Sequence, residues 1–85
     1  MYQVIVAPRA KRELKKIAKI YRNAIVEAIE VLEEDPRLGK PLSRELKGKY
    51  SYRIGVYRII YQIKGKDKVV NITTAGHRAT VYRKR

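Results

Sequence analysis

Tyr50-Ser51-Tyr52-Arg53-Ile54-Gly55-Val56-Tyr57-Arg58-Ile59-Ile60-Tyr61-Gln62-Ile63 is the stretch that decides how this chain folds. β-branched and aromatic residues dominate it and Gly55 divides it, so it reads as two strands, Tyr50 to Ile54 and Val56 to Ile63, joined by a tight turn. Residues two apart share a face of a strand. In the second strand this puts Tyr57, Ile59, Tyr61 and Ile63 on an apolar side suited to a core, and Val56, Arg58, Ile60 and Gln62 on the other. A lysine-rich turn, Lys64 to Lys68, then leads into a third strand, Val69 to Thr74, and Gly76 is expected to break it.

Working outward, Tyr2 to Val6 has the pattern of a short strand that Pro8 ends where a helix can start. From Ala10, the apolar positions Leu14, Ile17, Tyr21, Ala24, Ile25, Ala28, Ile29 and Leu32 recur every three or four residues, the period of an amphipathic helix. Lys11, Arg12, Lys15, Lys16 and Lys19 fall on the opposite face. Pattern alone leaves one long helix and two shorter ones both open. A straight helix of about 25 residues would extend roughly 37 Å, too far for so small a core to cover, which favours a hairpin turning near Lys19 to Asn23. Asp35-Pro36 stops the helix, because the residue before proline is pushed out of the helical region. Arg37 to Lys49, with Gly39, Pro41, Ser43 and Gly48, reads as a loop. The order strand, helices, three strands predicts one α+β domain over residues 1–85, its helices packed on one face of a twisted antiparallel sheet.

Composition narrows the function. The 85 residues carry 21 Lys+Arg against 8 Asp+Glu, a net charge of +13, which calls for a polyanionic partner, nucleic acid before an anionic membrane surface. With no cysteine and one histidine there is no disulfide framework and no thiolate metal site, and the chain is expected to need no metal or other cofactor. No apolar stretch is long enough for a signal peptide or a membrane span, so the expected location is the cytoplasm. Guanidiniums placed in strands are costly unless they meet an anion. Arg53, Arg58 and Arg78 lie where neighbouring strands can bring them into one cluster, and such a cluster of like charges asks for phosphate.

Tyr57-Arg58-Ile59-Ile60-Tyr61-Gln62-Ile63, the Gly-x-Arg of Gly76-His77-Arg78, the loop Leu46-Lys47-Gly48 and the closing Val81-Tyr82 together resemble the RelE branch of the RelE/ParE toxin superfamily, and the likeness covers almost the whole chain. The resemblance implies a toxin of a toxin–antitoxin pair, a ribonuclease that enters the ribosomal A site and cuts mRNA there without a metal. The RNA's own 2′-hydroxyl would attack the adjacent phosphorus, leaving a 2′,3′-cyclic phosphate and a free 5′-hydroxyl. It also implies an acidic, RelB-like antitoxin partner, and promoter DNA bound only through the toxin–antitoxin complex.

By the same resemblance Arg58 binds the scissile phosphate, Arg78 shares that role or serves the leaving group, and Tyr82 stacks on a base or positions it. Arginine is effectively always protonated, so both guanidiniums act as electrostatic clamps rather than proton carriers. Relatives can carry two lysines, one residue apart, on the preceding strand; Ser51 and Arg53 stand there in this chain. Arg53 can still neutralise phosphate, which leaves Lys47 and Lys49 as nearby lysines for proton transfer, with His77 as a further acid–base candidate. Lys11, Lys15, Lys19, Lys47, Lys49, Arg83, Lys84 and Arg85 would hold the RNA backbone. The plainer alternatives are a solvated helix face for the lysines, ordinary surface arginines, and core packing for Tyr57, Tyr61 and Tyr82. ParE-type relatives offer a second function, poisoning of DNA gyrase without nuclease activity, and an inactive nucleic-acid-binding relative is a third.

Overall fold

The computed structural model describes residues 1–17 and 19–77. Its elements are β1 (Gln3–Val6), α1 (Pro8–Lys15), a 3-10 turn (Lys19–Tyr21), α2 (Arg22–Glu34), a second 3-10 turn (Pro36–Leu38), β2 (Lys40–Pro41), a third 3-10 turn (Arg44–Leu46), β3 (Lys49–Ile54), β4 (Tyr57–Lys64) and β5 (Val69–His77). The helices form the expected hairpin. Pro8 occupies the first turn of α1, where a backbone N–H has no helical partner to lose. Asp35 closes α2 in an extended conformation (φ −148°), and its carboxylate accepts a hydrogen bond from the Arg37 amide at 3.2 Å.

The five strands form one sheet in the order β1-β5-β4-β3-β2. The sequence reading is corrected in three places. β1 pairs with β5 in parallel, Gln3 to Val69 through Val6 to Ile72, so the sheet is mixed rather than wholly antiparallel. The predicted loop contains the two-residue strand β2, whose Pro41 sits at the sheet edge, where a missing N–H removes no ladder bond. β5 runs through Gly76 to His77, because Arg58 pairs with Gly76 and Tyr57 with His77.

The faces of the sheet follow the predicted alternation. Ile59 and Tyr61 of β4, Val70, Ile72 and Ala75 of β5, and Ile54 of β3 are buried in one cluster with Ala10 of α1 and Ala28 and Leu32 of α2. Both helices therefore lie on this side, and the opposite face has no helix on it. Gly55 opens the β3–β4 turn at φ +60°, a conformation that L side chains rarely adopt and that suits the twist of a two-residue hairpin. An added Cβ there would also lie 2.6 Å from the Tyr21 ring, which itself packs edge-on against Tyr57 at 5.2 Å between centroids. No helix among the described residues is long and apolar enough to cross a membrane.

Tyr61 joins this core to the loop beyond α2. The ring is fully buried and stacks on Tyr50 at 5.6 Å, and its hydroxyl donates to the Pro36 carbonyl at 2.6 Å. Gly39 passes so close to that oxygen that a Cβ would collide with it. Burial pushes the Tyr61 phenol up from 10.0 to about 12. The neutral phenol is the form the fold prefers, so the folded chain holds this proton more tightly than the unfolded one. Stability from Tyr61 is then complete below pH 10.0 and falls as the pH rises toward about 12. Urea unfolding across that range should show a steeper alkaline loss for the wild type than for Tyr61→Phe, and the variant should lose about 1–3 kcal/mol at neutral pH by orphaning the Pro36 carbonyl.

Candidate functional site: a cationic cleft on the uncovered sheet face

The cleft is built by strand register. β3 and β4 place Lys49 opposite Gln62, Ser51 opposite Ile60 and Arg53 opposite Arg58, all on the face away from the helices. β2 adds Lys40 opposite Ser51 on that face. A shallow cavity of about 310 Å³ opens there, lined by Leu38, Gly39, Lys40, Ser51, Arg53 and Arg58. Ser51, 2% exposed, lies at its base, and Ile60, paired with it across the strands, is equally buried. The side chains that remain available to a ligand are two guanidiniums, one ammonium and the apolar edge of Leu38, which is 63% exposed.

Like charges directly opposite each other across a strand pair repel, by about 1 kcal/mol at 4 Å in water and about 4 kcal/mol at an effective dielectric of 20. Arg53 is exposed and turns its Nε to the Gly55 carbonyl at 3.1 Å. Arg58 has no such outlet. Its Nε is buried and has no hydrogen-bond partner among the described residues. A buried donor of this kind costs roughly 1–3 kcal/mol, more when it belongs to a charged group. The arrangement is complementary to an anion with two or more acceptor oxygens, and a guanidinium fork meets phosphate oxygens in that geometry.

The other residues singled out from the sequence are distributed differently. Lys49 shares the face but stands four residues from Arg53, about 13 Å along the strand. Lys47 follows the 3-10 turn before β3 and is exposed. His77 lies on the helix side of the sheet, with its ring edge-on to Tyr57 at 6.1 Å, and lines a separate cavity of about 170 Å³ with Glu13 and Lys16. Lys11, Lys15 and Lys19 rim a groove of about 320 Å³ between the helices, together with Arg22, over a floor of Leu14, Ile17, Ile25 and Val26. Arg78, Tyr82, Arg83, Lys84 and Arg85 lie outside the described residues. The structure thus brings Arg53 and Arg58 together and separates both from His77 and the helix lysines.

Lys40, Gly39 and Leu38 were not singled out from the sequence. Their segment reads as loop, and only the pairing of Lys40 with Ser51 carries an ammonium to the position beside the cleft floor. Among the described residues no group of three His, Cys, Asp or Glu side chains is placed to hold a metal ion.

Residues 4–82 match the family described as the ParE toxin of type II toxin–antitoxin systems, parDE. The chain is 41% identical over 85 residues to Toxin RelG of Mycobacterium tuberculosis, covering 98% of both chains, and 34% identical over 84 residues to Toxin RelE of the same organism, covering 96% of this chain and 87% of that one. Its fold superposes on the toxin–antitoxin complex RelBE2 of M. tuberculosis with a TM-score of 0.82 at 39% identity, covering 91% of this chain and 98% of that one. Fold, composition and these likenesses define a small basic toxin of the type II class. The chain belongs to the RelE branch of the RelE/ParE toxin superfamily.

One buried guanidinium nitrogen without a partner among the described residues predicts a particular stability pattern. Arg58→Met, which keeps much of the volume and removes the orphaned donor, should raise the melting temperature of the free protein by several degrees, since about 1 kcal/mol corresponds to roughly 4–8 °C in a chain of this size. Added phosphate should stabilise the wild type more than the variant. Calorimetry with and without phosphate checks both, and a lower melting temperature for Arg58→Met would mean that the guanidinium is already satisfied.

Proposed function

We propose that this toxin is a ribosome-dependent endoribonuclease that cleaves mRNA in the ribosomal A site, with the cleft of Arg53, Arg58 and Lys40 receiving the scissile phosphodiester. The observation that carries this reading is the buried, unpartnered Arg58 Nε opposite Arg53 on the uncovered face. In the reaction the 2′-oxygen forms a bond to phosphorus, the bond to the 5′-oxygen breaks, and the proton given up at the 2′-oxygen is matched by one delivered to the 5′-oxygen. No metal enters this scheme. Negative charge grows on the non-bridging oxygens as the phosphorane forms, and fixed cations aimed at those oxygens lower the barrier without reorganising.

Arg58 is assigned to these oxygens and Arg53 to the neighbouring charge. Lys40 supplies the ammonium that Ser51 does not. Arg78 and Tyr82 keep the roles implied by the family resemblance, a second phosphate clamp and a base-stacking ring. His77 faces the helix side, so it is assigned no proton transfer at Arg58. Lys49, with Lys47 beyond it, follows the RNA backbone away from the cleft. Dependence on the ribosome fits a shallow site that orients the nucleotide poorly by itself, since holding reactants in line supplies much of the rate in such reactions.

Restraint of the toxin falls to an acidic antitoxin. The M. tuberculosis relative is a toxin–antitoxin complex, and a charge of +13 attracts a polyanion or an acidic chain alike. The helix groove, with an apolar floor and four cations at its rim, suits an acidic amphipathic segment better than it suits RNA. Promoter DNA would be bound through the complex, and the cytoplasm is the compartment that holds both ribosome and antitoxin.

A second reading is favoured by one observation, the match to the ParE family over residues 4–82: a gyrase poison with no nuclease activity. Primer extension on message under translation separates the two. The wild type should cut within A-site codons and leave free RNA largely intact, and Arg58→Ala, Arg53→Ala and Arg78→Ala should each cut roughly 100- to 1000-fold more slowly while remaining folded. Intact message together with inhibited supercoiling would transfer the assignment to the gyrase class.

A further inference from the structure

β5 carries an irregularity opposite β4 that decides what faces the cleft. Tyr61 pairs with Ile72 but Ile60 pairs with Thr74, so Thr73 is an extra residue in β5. One added residue turns every following side chain to the other face of the sheet. Because of it Gly76 stands opposite Arg58, and His77 stands opposite Tyr57 on the helix side. With an uninterrupted register Ala75 would stand opposite Arg58, and the two faces of the Ala75 to His77 segment would be exchanged.

A bulge interrupts the ladder and leaves polar groups to be met in another way. Thr73 Oγ1 donates to the Ile60 carbonyl at 3.2 Å. The next two donors are taken by a side chain from α1: Glu13 Oε1 accepts from Thr74 Oγ1 at 2.8 Å and from the Ala75 amide at 3.1 Å. The second carboxylate oxygen lies 3.7 Å from Arg9 Nε one turn earlier. A glutamate on an exposed helix ordinarily points to water. Here it is mostly covered and spends one oxygen on two donors of a distant strand, and charge-assisted bonds of this kind are about twice as strong as neutral ones.

We propose that Glu13 is a positioning residue for the cleft: its carboxylate clamps the β5 bulge and so fixes the phase of the Ala75 to His77 segment, keeping Gly76 opposite Arg58 and His77 away from it. The activity half of this claim rests on the nuclease reading, and the structural half does not. The two bonds from Glu13 end on Thr74 and Ala75 of β5, so the effect proposed for it travels through backbone register. With Gly76 in that place β5 presents no side chain opposite Arg58, and a slip of register by one residue would put Ala75 there.

Wild type, Glu13→Ala, Glu13→Gln and Thr74→Val are compared by amide exchange at Ala75, by the nuclear Overhauser contact between the Tyr57 and His77 rings, and by cutting of ribosome-bound message at saturating ribosome. Glu13→Gln keeps an oxygen acceptor, so it should retain the protected Ala75 amide, the ring contact and near wild-type cutting. Glu13→Ala should expose the Ala75 amide, weaken the ring contact and slow cutting by roughly 10- to 100-fold with ribosome affinity unchanged, as expected for a displacement of about 1 Å at a reacting centre. Thr74→Val removes one of the two donors and should show the same changes in smaller measure; it decides the matter if Glu13→Ala fails to fold.

Native exchange and ring contact in Glu13→Ala, or equal losses in Glu13→Gln and Glu13→Ala, would overturn the clamp. A wild type that leaves message intact would overturn the nuclease reading instead, while exchange and ring contact still judge the clamp.

Discussion

Among the described residues a sheet of five strands is served by two α-helices, and that imbalance governs the molecule. α1 and α2 bury Ala10, Ala28 and Leu32 against Ile59, Tyr61, Val70 and Ile72, which satisfies one face. Neither helix lies on the other face. A face with no helix on it has to be polar where it is exposed or to meet a partner, and this one holds Lys40, Lys49, Arg53 and Arg58 around the buried pair Ser51 and Ile60. The tight Tyr61 to Pro36 hydrogen bond serves the same end, because it holds the segment leading to β2 against the sheet and so brings Lys40 alongside Ser51.

The two basic surfaces differ in chemistry as well as in position. On the sheet face away from the helices the paired guanidiniums of Arg53 and Arg58 stand with the ammonium of Lys40 at one cavity, an arrangement that matches planar or tetrahedral oxyanions. Between the helices, ammonium groups surround an apolar floor, an arrangement that rewards a partner with both carboxylates and aliphatic side chains. One net charge is therefore spread over two surfaces of different chemistry. The unpartnered Arg58 donor shows that the cleft is not tuned for stability of the free chain, in keeping with the usual conflict between a stable fold and a site prepared for a ligand.

Much of this was legible in the sequence because strands with one buried face announce it by alternation. Tyr57, Ile59, Tyr61 and Ile63 predicted the core side of β4, and the same parity placed Arg58 on the other. The helix hairpin followed from length and period. What escaped was whatever depends on pairing rather than pattern. Four residues of β1 carry no sign of a parallel partner, Lys40-Pro41 is too short to show a period, and the extra residue at Thr73 leaves no compositional trace. Glu13 was passed over because one carboxylate among lysines on a helix reads as part of a solvated surface. The separation of His77 from Arg58 depends on the same bulge, which is why residue type alone suggested a role for His77 that its position does not support.

The parallel seat of β1 has a consequence for biogenesis. Gln3 to Val6 pair in parallel with Val69 to Ile72, the last of the described strands to be translated. Until then the amino-terminal strand has no sheet edge to close on, and loop closure from Gln3 to Val69 makes this a late, slow event. The amino-terminal strand is consequently without its seat for most of the synthesis of the chain, whereas β2, β3 and β4, which carry Lys40, Lys49, Arg53 and Arg58, can pair before it.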